Sequence, residues 1–475
     1  MDSKLLEIPM LINGEEKHTR EKIFLKDRHT DEQLVSISTA SITDLNYAIK
    51  SCHSNLESLE KLSTDEIIAI TEKVSDKLVS GDGEFYQEYT TRITGSPYKH
   101  LAKSEERTRK FLKEFRSYLD TVFGSYKFLD DGKPIYSEGK QIGIRLLQRR
   151  AKLACLFLAG NETALAAFAI PQVIITRTPL IIKGSTVEPI SAYRIVKAYY
   201  DAGLKNGLNL LFWRALEKPD LANKLLEQSH AQILFGADEN ILSLTGGIKQ
   251  AANIVENKHV CPFWTGRSAA LVFADADLET AVAGVIEGAH ADRGNKCVST
   301  KKVYIERAVF NRFTELLTAR IQTLRIGHPL DKTTDIGLAL ADERQHLQKK
   351  LGDEQKVIHH GISENSINIS VLLPGPGSEF LREEIPAPVL ALVPFNTIEE
   401  AIERANASVA HTITKKSLAT AVFTRKKENI RILTSKLKTF KILVGRPTTS
   451  MNFMLPHQGA YIAEELLTTD KVIEL

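Results

Sequence analysis

The residue of this chain best placed for covalent chemistry is Cys297, within the segment RGNKCVS at residues 293–299. This segment lies between a predicted helix and a predicted strand, and a cysteine at such a junction, after a glycine, can be reached by a substrate. Cys155, inside the apolar run LACLFLA, illustrates the commoner case, because free cysteines are among the most buried residue types. Position alone makes Cys297 a candidate nucleophile, and a structural role stays open.

The remaining cysteines give no sign of a metal centre or of disulfides. The four cysteines, at positions 52, 155, 261 and 297, form no CxxC pair and lack zinc-ligand spacing, so no metal site is predicted. A disulfide framework is equally unexpected, which favours a reducing, cytoplasmic compartment.

Composition narrows the class of protein. A chain of 475 residues corresponds to roughly three domains. The apolar fraction of 43% and the charged fraction of 25% are typical of globular proteins. Lysine and arginine exceed aspartate and glutamate by 62 − 59 = 3, which argues against a dedicated nucleic-acid binder.

Neither a signal peptide nor a membrane span is predicted. The N-terminal segment MDSKLLEIPMLINGEEKH is too short and too charged for a secretory signal. The most apolar stretch, residues 153–182, is interrupted by polar residues and a proline, and no run of about 20 apolar residues exists.

The elements that must position Cys297 follow two repeats of an α/β pattern. The N-terminal third predicts amphipathic helices over residues 44–59, 66–78 and 99–119. From residue 153 short apolar runs alternate with helical stretches, and the alternation restarts after residues 245–247. Such alternation favours parallel sheets covered on both faces. The polar segment 125–143 is compatible with a protruding hairpin.

Several motifs together resemble the aldehyde dehydrogenase superfamily. FADADLETAV, GNKC, RIGHPLDKTTDIG and EEIPAPVLALVPF follow one another in the order and spacing of that family over almost the entire chain. The opening LINGEE and the segment LFLAGNETALAAFAIPQVIITRTPLIIKGS are also similar to it. The resemblance implies two Rossmann-like α/β domains and a small β oligomerisation flap. It places an NAD(P)-binding domain at 1–124 and 144–246, a catalytic domain at 247–445, and a flap at 125–143 and 446–475, and implies a homodimer or homotetramer.

The resemblance also assigns roles to individual residues. It makes Cys297 the nucleophile and Asn161 the side-chain donor of an oxyanion hole completed by the backbone N–H of Cys297. Without the resemblance, Asn161 would read as a turn residue after a strand. The residues implied to bind NADPH or NADH are Lys183, Ser185, Thr186, Gly236 and Glu384.

Three departures from the family pattern bear on the reaction. Thr186 stands where NAD-preferring members often carry a glutamate, which would repel a 2′-phosphate, so NADPH is allowed. Pro386 stands where the family has an aromatic residue beside the nicotinamide. Phe263 stands where hydrolytic members carry the glutamate that activates water, and a phenyl ring cannot act as a general base.

The departure at Phe263 makes an acyl-thioester (acyl-CoA) reductase, or CoA-acylating aldehyde dehydrogenase, the first functional prediction. CoA or a carrier-protein thiol would then exchange with the acyl group on Cys297, and the stretch 232–239 is locally similar to fatty acyl-CoA reductases. One alternative is an NAD(P)-dependent aldehyde dehydrogenase that forms a carboxylic acid with a relocated base, such as Glu162, His290 or Asp292. Another is a non-catalytic protein on the same fold. A small-molecule acyl-thioester or aldehyde is the expected partner in the catalytic cases.

Overall fold

The computed structural model describes residues 5–79, 83–246, 259–352, 356–450, 452–469 and 471–475. The chain divides into two compact units. The first unit comprises Met1–Ile93, Ala102–Trp264 and Phe453–Leu475, and the second comprises Thr94–Leu101 and Thr265–Asn452. The domain boundary predicted after residue 246 borders residues 247–258, which lie outside the described residues.

The strands of the described residues are short, and those at the centres of the two large sheets are buried along most of their length. They are β1 Leu6–Ile8, β2 Met10–Ile12, β3 Glu15–Lys17, β4 Lys22–Lys26, β5 Gln33–Ser38, β6 Lys133–Ser137, β7 Lys140–Arg145, β8 Gln148–Arg149, β9 Ala154–Phe157, β10 Leu180–Lys183, β11 Leu208–Leu211, β12 Ala231–Phe235, β13 His259–Phe263, β14 Ser268–Val272, β15 Thr300–Glu306, β16 Val357–His359, β17 Ser370–Leu372, β18 Val389–Phe395, β19 Thr420–Phe423, β20 Ile442–Val444, β21 Leu467–Thr468 and β22 Val472–Glu474.

In the described residues, a helix follows each of the strands β9, β10, β11 and β12. The helices are α1 Ile42–Ser54, α2 Leu56–Glu60, α3 Thr64–Val79, α4 Gly83–Thr94, α5 Tyr98–Lys113, α6 Phe115–Phe123, α7 Phe128–Asp131, α8 Leu165–Ile174, α9 Ile190–Asp201, α10 Pro219–Gln228, α11 Asp238–Thr245, α12 Leu278–His290, α13 Phe310–Ile321, α14 Ala341–Gly352, α15 Ile398–Ala407, α16 Lys427–Lys436 and α17 Ile462–Glu465.

Two of the predicted N-terminal helices are each split in two. The helix expected over 44–59 ends at Ser54, and α2 begins after Asn55. The side-chain amide of Asn55 donates to the carbonyl of Ser51 at 2.9 Å, a local bond that competes with continuation of the helix. The helix expected over 99–119 breaks at Glu114, and α6 then buries its own aromatic face with Phe115 and Tyr118.

The main sheet of the first unit has seven strands in the order β13-β12-β9-β10-β11-β2-β3. The five strands from β13 to β11 are parallel, and only β2 and β3 run antiparallel to their neighbours. The chain moves from β9 to β10 and β11 on one side and returns to β12 and β13 on the other. The carboxyl ends of β9 and β12 therefore form the point where strand order reverses, the usual ligand crevice of an open α/β sheet.

The second unit is built on another seven-stranded sheet, ordered β16-β17-β18-β15-β14-β19-β20. Its strands are parallel except β16. One face is covered by α12 and α13, whose apolar side chains join those of β14, β15 and β18 in one buried core. The two Rossmann-like sheets expected from the alternating pattern are thus confirmed.

A small three-stranded sheet in the order β22-β7-β6 pairs the chain's last strand with the hairpin predicted in 125–143. It exposes an unusual number of apolar side chains, namely Tyr136, Ile142, Val472, Ile473 and Leu475. The role predicted for this flap in oligomerisation stays a prediction. Among the described residues, no helix is both long enough and apolar enough to cross a membrane.

Candidate active site

Three loops of the second unit meet at the amino-terminal edge of its sheet. Gly266 and Arg267 precede β14, Cys297 precedes β15, and the loop of residues 384–388 precedes β18. Because β18, β15 and β14 are neighbouring parallel strands, their amino ends lie side by side. We call residues 291–299 the nucleophile loop.

Cys297 is partly exposed, whereas Cys52, Cys155 and Cys261 are buried. The nucleophile loop opens with Asp292, Arg293 and Gly294 in left-handed conformation, at φ of 50°, 56° and 74°. Such backbone is uncommon for residues with side chains and is typical of strained functional loops. Of the cysteines, the one predicted as nucleophile is therefore the one that a substrate can approach.

Gly266 allows the nucleophile loop to pack directly on the chain before β14. A Cβ atom on Gly266 would lie 1.4 Å from the carbonyl oxygen of Cys297, so no other residue fits without moving the loop. The sequence did not single out Gly266 as a residue of the site. The only signal was a glycine in the TGR triplet, two residues before a strand.

Lys301 ties the nucleophile loop to the loop before β18. Its buried ammonium group donates to the carbonyl oxygens of Gly294, at 2.5 Å, and of Ala387, at 2.8 Å. Burial lowers the pKa of Lys301 to about 8, and the negative charge of Glu384 opposes that shift. Lys301 was also missed, although a lysine inside the otherwise buried strand TKKVYIE is a signal for a satisfied internal charge.

Glu384 lies in this cluster of loops, and its carboxylate is bonded to the loop before β14. Its carboxylate accepts a hydrogen bond of 2.6 Å from the backbone N–H of Arg267. Burial raises the pKa of Glu384, while the nearby Lys301 and the Arg267 N–H act in the opposite direction. Burial of a carboxyl group disfavours its charged form, and neighbouring cations restore it.

A cavity of about 580 Å³ borders the nucleophile loop within the second unit. Arg293 and Asn295 line one side, Glu343 and His346 of α14 line another, and Pro386 contributes to the wall. Arg293 and Glu343 form an ion pair of 2.8 Å across this lining. The size and the mixture of apolar walls with a few polar groups are typical of small-ligand sites.

In the first unit, the predicted oxyanion donor and the residues predicted to bind the cofactor lie at the carboxyl ends of strands of the parallel sheet. Asn161 lies in the turn after β9 and is partly buried, Lys183 is the last residue of β10, and Gly236 follows β12. A Cβ atom on Gly236 would have no neighbour nearer than 3.8 Å, so the backbone there is open. Burial lowers the pKa of Lys183 to about 8.

Ser185 and Thr186 continue from β10 but differ in environment. The buried Ser185 hydroxyl accepts hydrogen bonds from the backbone N–H groups of Val187, at 3.1 Å, and Glu188, at 3.3 Å. It also lies where a Cβ atom on Gly160 would come within 2.5 Å, so the turn after β9 approaches Ser185 closely. Thr186 is partly buried, and no carboxylate occupies its position.

Phe263, the last residue of β13, lies in an aromatic cluster. Its ring stacks on that of Phe235 with centroids 4.5 Å apart and planes 9° apart, and the ring of His457 follows at 5.2 Å. Gln458 holds this segment in place, because its side chain bonds both the N–H and the carbonyl of Trp264, at 3.1 and 2.7 Å. The side chain at position 263 is therefore fully used in packing.

The three residues considered as relocated bases all have partners of their own. Glu162 accepts hydrogen bonds from the Ser104 hydroxyl at 2.9 Å and from the backbone of Ala164 at 3.2 Å. The ring of His290 lies 5.2 Å from that of His100. Asp292 accepts a hydrogen bond from the Ser96 hydroxyl.

Comparisons with known proteins agree with this architecture. The model of the aldehyde dehydrogenase family matches residues 15–461. The 3-sulfolactaldehyde dehydrogenase of Priestia megaterium is 23% identical over 420 residues, covering 84% of this chain and 82% of that protein.

Among solved structures, the NAD-dependent aldehyde dehydrogenase of Sinorhizobium meliloti superposes with a TM-score of 0.86 at 18% identity, covering 100% of this chain and 95% of that one. The NADP-bound glyceraldehyde-3-phosphate dehydrogenase GapN of Methanocaldococcus jannaschii superposes with a TM-score of 0.83 at 18% identity, covering 96% and 99% of the two chains. These likenesses show the fold. The family match over almost the whole length shows more: this chain belongs to the aldehyde dehydrogenase family and is an NAD(P)-dependent oxidoreductase acting on aldehydes.

Proposed function

We propose that this chain oxidises an aldehyde to a carboxylic acid with NAD(P)⁺, by way of a thioester on Cys297. The observation that carries the proposal is the partly exposed Cys297 in a left-handed loop of a chain that matches the aldehyde dehydrogenase family. The relatives and structures named above are aldehyde dehydrogenases, which favours acid formation over the acyl-thioester reductase that Phe263 first suggested.

In the proposed reaction, Cys297 would be the nucleophile and Asn161 would stabilise the oxyanion. The thiolate of Cys297 attacks the aldehyde carbon and forms a tetrahedral thiohemiacetal whose oxyanion accepts hydrogen bonds from Asn161 and the Cys297 N–H. Bound NAD(P)⁺ supplies the acceptor for the hydride, and a thioester remains on Cys297. Water then attacks the thioester carbon, the carbon–sulfur bond breaks, and the carboxylate departs. The thiolate of Cys297 is restored, and the two protons of the water pass to solvent.

The cofactor would be held by Lys183, Ser185, Thr186 and Gly236 in the first unit, and by Glu384. The fit rests on position: the first four residues follow parallel strands at their carboxyl edge, where open α/β sheets bind nucleotides. The open backbone at Gly236 leaves space for a phosphate group. Thr186 carries no charge that would repel a 2′-phosphate, so we expect NADP⁺ to be accepted as well as NAD⁺.

A second candidate is transfer of the acyl group to CoA or a carrier thiol, in either direction. The stacking of Phe263 on Phe235 favours it, because the position of the family's water-activating glutamate is occupied by a packed ring. Losing a general base typically costs about 10²–10⁴ in rate. A thiol acceptor attacks without that help more readily than water, since a few per cent of it is already thiolate at neutral pH.

One experiment separates the two candidates. Purified protein is given a panel of aldehydes of increasing chain length with NAD⁺ or NADP⁺, with and without CoA, and the acyl product is identified by mass spectrometry. Free acid at the same rate in both conditions supports the proposal. Turnover that requires CoA and yields acyl-CoA supports the second candidate.

Two variants control this experiment. Cys297→Ala should abolish turnover and any acyl adduct, whereas Cys155→Ala, at a buried strand cysteine, should leave turnover intact. Turnover by Cys297→Ala at the wild-type rate would refute both candidates.

A further inference from the structure

We propose that His259, Cys261 and Glu465 form a binding site for a divalent metal ion of the zinc class. The site uses none of the residues assigned to aldehyde oxidation and does not depend on the proposed function. One ligand atom from each of the three side chains lies within 4.8 Å of the other two. Imidazole nitrogen, thiolate sulfur and carboxylate oxygen are the ligands that Zn²⁺ binds in proteins.

The fold brings these residues together from two distant parts of the chain. His259 and Cys261 are two residues apart on β13, so their side chains project from the same face of the strand. β13 is an edge strand of the seven-stranded sheet, paired on one side with β12. Glu465 is the last residue of α17, in the C-terminal segment that belongs to the same unit.

The distances are close to those that a tetrahedral ion requires. His259 Nε2 and Glu465 Oε2 are 2.8 Å apart, a hydrogen bond that a shared metal ion would replace. Metal–ligand bonds of about 2.0–2.3 Å place neighbouring ligand atoms roughly 3.3–3.8 Å apart. Small side-chain rotations therefore suffice to open the His259–Glu465 contact and to bring in the sulfur of Cys261.

The cluster holds a thiol and a carboxyl group, both of which bind zinc as anions. Zn²⁺ binding would release the thiol proton to solvent, and one thiolate and one carboxylate would then neutralise the ion. The neighbouring cation is Arg150, whose exposed side chain donates to the carbonyl oxygen of Leu467 at 2.6 Å.

A bound ion would fasten the C-terminal segment to the sheet. It would join β13 directly to the end of α17, and it would bind the folded chain but not the unfolded one. A ligand with that preference raises stability by mass action. We therefore expect Zn²⁺ to raise the melting temperature of the protein and a chelator to reverse the rise.

The test measures metal binding by the full-length chain. The Cys297→Ser variant serves as the parent, because an exposed thiol binds metals on its own. The chelator-treated protein is titrated with Zn²⁺, and with Co²⁺ as a spectroscopic probe. The proposal predicts one equivalent of bound metal, a thiolate-to-cobalt charge-transfer band, and the strong visible absorption of tetrahedral cobalt.

Three further variants in that parent assign the site. Cys261→Ser should remove the charge-transfer band, and Glu465→Gln should weaken Zn²⁺ binding by more than about 10-fold, since even supporting groups of metal sites contribute that much. Cys155→Ser removes another buried cysteine and should change neither readout. Glu465 is about two-fifths exposed, so Glu465→Gln remains informative if Cys261→Ser fails to fold.

The outcomes that overturn the proposal are equally definite. Absence of stoichiometric Zn²⁺ binding in the parent would mean that the cluster is only a hydrogen-bonded histidine and glutamate beside a structural cysteine. Binding that persists at full strength in Glu465→Gln, or a cobalt spectrum without a thiolate band, would place the metal elsewhere.

Discussion

Substitution of Gly266 by alanine should disable the nucleophile without a change in any chemical group of the site. Gly266 has an ordinary negative-φ or extended backbone that alanine could also adopt, so strain of the dihedral angles is not the issue. The obstacle is space: the added methyl group would meet the carbonyl oxygen of Cys297 at 1.4 Å. Ordinary contacts lie at 3.4–4 Å, so the loop must retreat by about 2 Å.

The size of this displacement sets the expected loss of activity. A misplacement of about 1 Å can cost about 10² in rate, because the reacting atoms leave their attack geometry. A shift of about 2 Å in the backbone of Cys297 also moves its N–H, the proposed oxyanion donor, whose loss costs about 10²–10³. We therefore expect kcat/KM for aldehyde oxidation to fall by at least about 10²-fold.

The assay follows NAD(P)H formation together with the rate of Cys297 alkylation by iodoacetamide. Gly377→Ala is the matched control, because a Cβ atom there meets nothing within 4 Å. Circular dichroism and thermal melting of both variants separate a local displacement from global unfolding. Wild-type kcat/KM in a folded Gly266→Ala protein would refute the reasoning, since it would show that the close contact with Cys297 is not needed.

Three more predictions follow from the same geometry. Asn161→Ala should lower kcat/KM by about 10²–10³ without changing the alkylation rate of Cys297, as steady-state kinetics will show, and an unaffected kcat/KM would remove Asn161 from the oxyanion hole. Thr186→Glu should raise KM for NADP⁺ relative to NAD⁺ by about 10-fold or more, because the new carboxylate repels the 2′-phosphate. Equal changes in both KM values would contradict the proposal that residue 186 lies beside the 2′-phosphate. The pKa of Lys301, lowered by burial from 10.5 to about 8, makes the folded state bind fewer protons than the unfolded state between those two pH values. The free energy of unfolding of wild type, measured in urea relative to Lys301→Met, should therefore rise by on the order of 2 kcal/mol from pH 8 to pH 10.5; a flat difference would show that burial does not lower the pKa of Lys301.

Most of the fold could be predicted from local patterns. Buried strands appear in the sequence as short apolar runs and the covering helices as 3.6-residue periods, so β9 to β12 of the first unit and β14, β15, β18 and β20 of the second were expected where they occur. The short strands β16, β17 and β19 were not expected. The errors fall at Asn55 and Glu114, where a continuous apolar period concealed a break in the backbone. The period of apolar residues shows which face of a helix is buried. It does not show where one residue departs from helical geometry.

The site was predicted less completely, for a related reason. Cys297 could be singled out because its neighbours in sequence indicate a loop. Gly266, Lys301 and Gln458 were not singled out, because their importance lies in contacts with residues elsewhere in the chain. The sequence shows that Gly266 precedes a strand and that Lys301 lies within one, but it does not show which groups they contact.

The sequence by itself determined the class of fold, the family resemblance, the candidate nucleophile and the absence of a glutamate at position 263. Each of these depends on which residue types stand at nearby positions of the chain. Only the tertiary structure decided that three loops meet at the amino edge of β14, β15 and β18, and that the ring of Phe263 stacks on Phe235 and lies beside His457. It also joined Glu465 to His259 across 206 positions of sequence. Such contacts depend on the order of strands in each sheet and on which helices and loops pack against one another. Both are properties of the whole chain.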